Sequence, residues 1–227
     1  MKKFALAILV LMIAGAAQGT AIYDIQAGNV DENTLVTPCD VVVTAVTYNG
    51  IWVAEAPYGA MNGIWVYMGS DEPIDLVAGD IVCICGEYKE YFDLSEIDIV
   101  SAGIYGSVLK TGEMEVPLPS LVAAADLGEE WESCVVTVLD GMAVTELPND
   151  YGEWLATATD GTVVIFDDIF YDDTTVTLED CYNSATGVLN YTFGDFKLEV
   201  FEDGLEIVPC GVATENVAFD QVKALYR

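Results

Sequence analysis

Residues 40–66, DVVVTAVTYNGIWVAEAPYGAMNGIWV, decide the fold class. Asp40 to Tyr48 is rich in Val and Thr, whose branched side chains suit a pleated, half-buried strand, and Asn49-Gly50 is the strongest short signal for a hairpin turn. Gly50-Ile51-Trp52-Val53 and Gly63-Ile64-Trp65-Val66 then read as two strands joined through Pro57, Gly59 and Asn62-Gly63. Strand alternation puts Ile51, Val53, Ile64, Val66 and Met68 on one face and Trp52, Trp65 and Tyr67 on the other.

Outward from this stretch the same signals continue. Asp71, Glu72 and Pro73 mark a loop, Gly79-Asp80 restarts the chain, and Ile81 to Tyr91 and Ser95 to Val100 read as a fourth and a fifth strand. A second pass in the same order follows at Cys134 to Val138, Met142 to Glu146, Gly152 to Thr157, Thr162 to Phe166, Cys181 to Tyr191 and Phe196 to Val200. The two passes correspond in residues. Cys39 precedes Asp-Val-Val-Val as Cys134 precedes Val-Val-Thr-Val, Gly86-Glu-Tyr-Lys-Glu-Tyr-Phe matches Gly187-Val-Leu-Asn-Tyr-Thr-Phe, and the strand from Leu94 resembles that from Phe196. This is an internal duplication of a five-stranded unit of about ninety residues.

A five-stranded, partly closed Greek-key barrel is the OB architecture, with a pair of small β-sandwiches as the alternative. The expected fold is therefore all-β, two tandem OB-like barrels at 20–108 and 128–210. A connector at 109–127 contains a short helix from Ser120 to Leu127, capped by Ser120. The tail, 211–227, repeats Phe219, Val222 and Leu225 or Tyr226 at helical spacing.

Specific segments carry a resemblance. TAVTYNGIWV, AGDIVCICGEYKEYFDLSEIDI, EEWESCVVTVLDGMAV, DYGEWLATATDGT and GVLNYTFGDFKLEV resemble OB-like domains of bacterial secreted and cell-surface proteins, which commonly accompany extracellular nucleases or lamin-tail modules. The resemblance spans about Ile22 to Val208 and implies a fold more than a function. An oligonucleotide-binding role beside a nuclease is the function such company implies.

Lys2 and Lys3 precede an apolar run from Phe4 to Ala14 and then small residues, which reads as a secretory leader over residues 1–19. The expected location is secreted, periplasmic or at the cell surface. The run is shorter than the roughly 20 apolar residues that span a bilayer. Without the leader's two lysines, 5 basic residues face 38 acidic ones, a net charge of −33. Such a surface disfavours duplex nucleic acid, whose binding needs Lys and Arg to displace counterions, and it attracts cations.

Cys39, Cys83, Cys85, Cys134, Cys181 and Cys210 are even in number in a chain read as exported, so disulfides within each barrel are expected. Cys39 would bond Cys83 or Cys85, because first and fourth strands are neighbours in a closed OB sheet. The second barrel would use two of the other three cysteines.

The chain has no histidine, so Ser-His-Asp, Cys-His and His-metal constellations are excluded. It also lacks a phosphate loop and a nucleophile elbow. With 38 carboxylates, no pair is singled out for hydrolysis, and a non-catalytic protein is expected. Calcium is a possible cofactor, and its candidate ligands are the densest acids, Asp167, Asp168, Asp172 and Asp173, although no D-x-D-x-D-G order is present. If the aliphatic set fills the first barrel, Trp52, Trp65 and Tyr67 lie where OB folds hold ligands on strands two and three. The same rings would equally serve packing under a loop or against the second barrel. The expected partner is a glycan or a protein; self-association through strand edges and the tail is the structural alternative.

Overall fold

The structure, a computed structural model, describes residues 19–70 and 73–210. The expected leader and C-terminal helix fall on 1–19 and 211–227, outside the described residues apart from Gly19.

The first unit opens with a short helix, α1 (Ile22–Gln26). Its strands are β1 (Leu35–Val36), β2 (Val41–Val46), β3 (Gly50–Ala54), β4 (Gly63–Tyr67), β5 (Asp80–Tyr91), β6 (Leu94–Asp98) and β7 (Ser107–Glu113). The alternation in β3 and β4 is realised: Ile51, Val53, Ile64 and Val66 are fully buried with Val41 and Val43 inside the barrel. Each such side chain contributes about 1.5–3 kcal/mol by leaving water. Pairing runs β2-β3-β4-β6-β5 and returns to β2, with β4 and β6 parallel and the others antiparallel, so the ring closes in OB order. Helix α1 plugs one end, burying Ile22 and Ile25 in the same core.

The second unit repeats this plan with β8 (Ser120–Val122), β9 (Val135–Val138), β10 (Met142–Glu146), β11 (Trp154–Ala158), β12 (Val163–Asp167), β13 (Asp180–Thr192) and β14 (Asp195–Pro209). Its ring is β10-β11-β12-β14-β13, with β12 and β14 parallel. Trp154 stacks on Phe166 at 5.2 Å in its core, and Tyr182 meets Phe166 edge-on.

Gly86 and Gly187 show why the duplication is legible. A Cβ on Gly86 would lie 2.5 Å from Ile97 Cγ2, and one on Gly187 would lie 2.3 Å from the Glu199 carbonyl oxygen. In the second barrel the backbone of the fifth strand leaves no room for a side chain at this crossing, and in the first the Ile97 methyl fills the space. These glycines also correct the cysteine correspondence. Val36 faces Gly86 and Val136 faces Gly187, so the counterpart of Cys134 is Thr34, not Cys39.

Three other expectations change. Part of the expected connector is sheet: β7 pairs with β5, placing Leu109 opposite Cys83. The expected helix at 120–127 is instead β8, parallel to β9, followed by one 3-10 turn at Ala124–Asp126. Burial of Val122 and Ala124 against the second core outweighs the helical propensity of so short a segment. Strand β14 also runs nine residues past the expected Val200, to Pro209.

Disulfides join Cys39 to Cys83 and Cys181 to Cys210, one within each barrel. Strands β2 and β5 are neighbours, and Asp180 pairs with Pro209, so each bridge ties adjacent chain segments. Cys85 and Cys134, named with the other four as candidates, are free, so each barrel leaves one of its three cysteines unpaired. Cys134 is spent on the contact between barrels, where its thiol donates to the Gly59 carbonyl at 3.2 Å.

That contact fixes the barrels against each other. The Met61 amide donates to the Glu130 carbonyl at 2.7 Å, and the Ser95 amide donates to the buried Glu132 carboxyl at 3.1 Å. Gly63 packs so closely on the Ser133 backbone that a Cβ would sit 2.3 Å from its carbonyl oxygen. Ala45, Trp52, Trp65, Leu94 and Val188 form a third buried cluster across the seam.

Candidate functional site: a groove between the barrels

The outer face of β3 and β4 carries Trp52, Trp65 and Tyr67, as alternation requires. Trp52 and Trp65 pair directly across the strands, with ring centroids 4.4 Å apart. Phe170 of the second barrel covers Trp52 at 5.8 Å and in turn meets Phe201 at 5.5 Å. The indoles are therefore largely consumed in packing: Trp52 is 2 % exposed and Trp65 7 %. Tyr67 stays half-buried at the edge of the same cluster.

Beside this cluster the barrels leave a groove of about 1020 Å³. One wall comes from the β2–β3 turn (Thr47, Tyr48, Asn49), the aromatic face and the β5–β6 hairpin tip (Tyr91, Phe92, Asp93). The other comes from Ile169 and the β13–β14 hairpin (Asn190 to Gly194). In the first barrel these are the strands and loops with which OB folds hold oligonucleotides and oligosaccharides.

The two hairpin tips were missed as site residues, although the repeat match ended on both of their phenylalanines. Phe92-Asp93 and Phe193-Gly194 are two-residue turns closed by the pairs Tyr91–Leu94 and Thr192–Asp195. All four residues have positive φ: 52° and 68° in the first tip, 54° and 93° in the second. Such turns favour Asn, Asp or Gly at their first position. A phenylalanine there is strained and, at 78 % exposure for Phe92 and 93 % for Phe193, gains little from burial. Neither turn chemistry nor core packing accounts for these rings.

The charged lining is mostly acidic: Asp93, Glu96 and Asp98 against Lys89. Lys89 pairs with Asp98 at 2.6 Å, and the other Asp98 oxygen accepts from the Val100 and Ser101 amides at 2.8 Å each. These bonds hold the Asp98 carboxyl below its ordinary range despite its burial. Glu96, two residues earlier on the same strand face, is 5 % exposed and has no hydrogen-bond or ion-pair partner among the described residues. Burial, with Asp98 beside it, pushes its carboxyl up to about 7.

On the second barrel, Asn190 donates to Glu199 at 2.8 Å, and burial pushes the Glu199 carboxyl up to about 8. Buried Lys197 contacts Glu153, lies 3.9 Å from Asp167, and sits 5.3 Å from the centre of the Phe193 ring. Two groove residues keep an unpaired buried polar atom of opposite kind: the Trp52 Nε1–H donor and the Asn190 Oδ1 acceptor.

The acidic loop does not gather as a site. Asp167 lies toward Lys197, the Asp168 carboxylate packs against Gly152, and Asp172 caps the following turn through the Thr174 amide at 3.1 Å. Asp173 opens that turn. Among the described residues, no group of three or more carboxylates or thiols is arranged to hold a metal ion, and these four are no exception.

No protein-family model matches the chain, and no curated protein matches it. Among solved structures, one described as "Structural mimicry for functional antagonism" is similar at a TM-score of 0.34 and 13% identity, over 74% of this chain and 89% of that one.

Proposed function

We propose that the chain is a non-catalytic binding module acting outside the cytoplasm, and that its ligand is an oligosaccharide held in the groove between the barrels. The carrying observation is the pair of solvent-exposed phenylalanines, Phe92 and Phe193, held at turn positions that disfavour them on either side of the groove. Aromatic faces bind the apolar C–H faces of sugar rings, and Tyr67, Phe92 and Phe193 present such faces in the groove lining. Two disulfides suit an oxidising compartment.

The charge of the groove argues against a nucleic acid. Among the described residues its charged lining is Asp93, Glu96 and Asp98 against Lys89, which opposes a phosphate backbone. Paired-carboxylate hydrolysis fares no better, because both Asp98 oxygens are already engaged and Glu96 lacks a free buried partner.

Glycan-array screening followed by calorimetry on Tyr67→Ala and Phe193→Ala tests the proposal. Each variant should lose about fivefold or more in affinity, since a lost aromatic contact costs about 1 kcal/mol or more, and Phe193→Ala, at an exposed tip, should melt near the parent. Undiminished binding by both variants would refute it. Trp52 and Trp65 are poor test positions, because truncating either opens the seam between the barrels.

A further inference from the structure

We infer that the groove selects an amino sugar chain, with a protonated amine of the ligand paired to the Glu96 carboxylate. This rests on the groove being an oligosaccharide site. Across the sheet Glu96 faces Lys89 on β5 and Trp65 on β4. Lys89 is committed to Asp98 at 2.6 Å, so the one Lys or Arg among the described lining residues bonds a carboxylate that two backbone amides already serve. Glu96, largely buried, makes no hydrogen bond or ion pair of its own among the described residues and shares with Asp98 the charge of Lys89, which bonds Asp98. A buried carboxylate without a partner is costly and gains most from a ligand that brings a charge-assisted donor.

A neutral sugar supplies hydroxyl donors but no charge; an ammonium supplies both. The aromatic lining suits the same group. Trp65 stands beside Glu96 in register and Tyr67 lies two residues further along β4, so a cation held at Glu96 lies among electron-rich ring faces. The field of the whole chain, −31 by formal count, draws cationic chains inward and repels uronic or sulfated ones. N-Acetylation turns the ammonium into a neutral amide while leaving the sugar ring unchanged, which makes it a clean discriminant.

The experiment titrates the full chain calorimetrically, at pH 7, where the Glu96 carboxyl, raised to about 7, is about half ionised and ligand amines still carry protons, with a glucosamine hexamer, its N-acetylated counterpart, a glucose hexamer of β-1,4 linkage, and hexalysine. The glucosamine hexamer should bind about tenfold tighter than the other two sugars, the worth of one charge-assisted contact. Glu96→Gln should erase most of that ratio, and Glu115→Gln, at an exposed position outside the groove lining, should leave it intact.

Equal binding of the three sugars overturns the inference and leaves the groove a sugar site, a comparison that needs no variant. Hexalysine binding as tightly as the glucosamine hexamer overturns it in favour of a basic protein segment. A preference that survives Glu96→Gln overturns the assignment of Glu96. Failure of every sugar to bind overturns the oligosaccharide site itself.

Discussion

Glu132 stands where the barrels meet, fully buried, with one oxygen accepting from the Ser95 amide and the other unpaired. Burial, chiefly, pushes its carboxyl up to about 8 from an ordinary 4.5. The unfolded chain loses this proton near 4.5 while the folded chain keeps it to about 8, so the stability the group contributes is fully present below 4.5 and is lost as pH rises toward 8. Each pH unit in that window removes about 1.4 kcal/mol, or about 3 kcal/mol between pH 5 and pH 7.

Glu132→Gln keeps the acceptor for Ser95 and cannot ionise. Urea unfolding at a series of pH values should show the parent losing about 3 kcal/mol more than the variant over those two units. Glu96 and Glu199, raised for the same reason, tilt both proteins alike and cancel in the comparison. Parallel stability curves for parent and variant would show that Glu132 reaches water and that the seam is not dry.

Three further outcomes are expected. Phe92→Asn should raise thermal stability, by about 0.5–1 kcal/mol, because Asn suits positive φ where Phe does not, while sugar affinity falls; a loss of both would mean that the ring supports the fold. Non-reducing peptide mapping should find Cys39–Cys83 and Cys181–Cys210, and a thiol reagent should label Cys85 in the native protein but Cys134 only after unfolding, since burial pushes the Cys134 thiol up to about 11; rapid native labelling of both would contradict the packed seam. Calcium and sodium at matched ionic strength should raise the melting temperature equally, as screening does, and a calcium-specific rise abolished by substituting Asp167, Asp168, Asp172 and Asp173 would restore that loop as a site.

The strands were legible because their signals are local. Period-two alternation in GIWVA and GIWVY separates core from outer face without reference to anything distant, and Gly86 and Gly187 mark the same crossing in both copies. Parts that depend on remote contacts were not. Residues 107–113 carry few buried side chains and are held by hydrogen bonds to β5, so their composition reads as linker. Strand β8 exists only because β9 lies beside it.

For the site, the outward direction of Trp52, Trp65 and Tyr67 followed from alternation, but Phe170, which covers Trp52, comes from a loop more than a hundred residues away. Glu96 was hidden among 38 acids, because what distinguishes it is burial without a partner, a property of packing and not of order along the chain. Phe92 and Phe193 could have been found: an aromatic at the first position of a two-residue hairpin turn, repeated in both copies, is anomalous in sequence alone.

The most direct test of an oligosaccharide-binding groove is amide hydrogen exchange of the full chain with and without a saturating glycan ligand. Protection should concentrate at Thr47 to Asn49, Tyr91 to Asp93 and Thr192 to Gly194, the three turns that line the groove. Protection confined to the outer edges of β7 or β14, with these turns unchanged, would place the ligand elsewhere and contradict the proposed function.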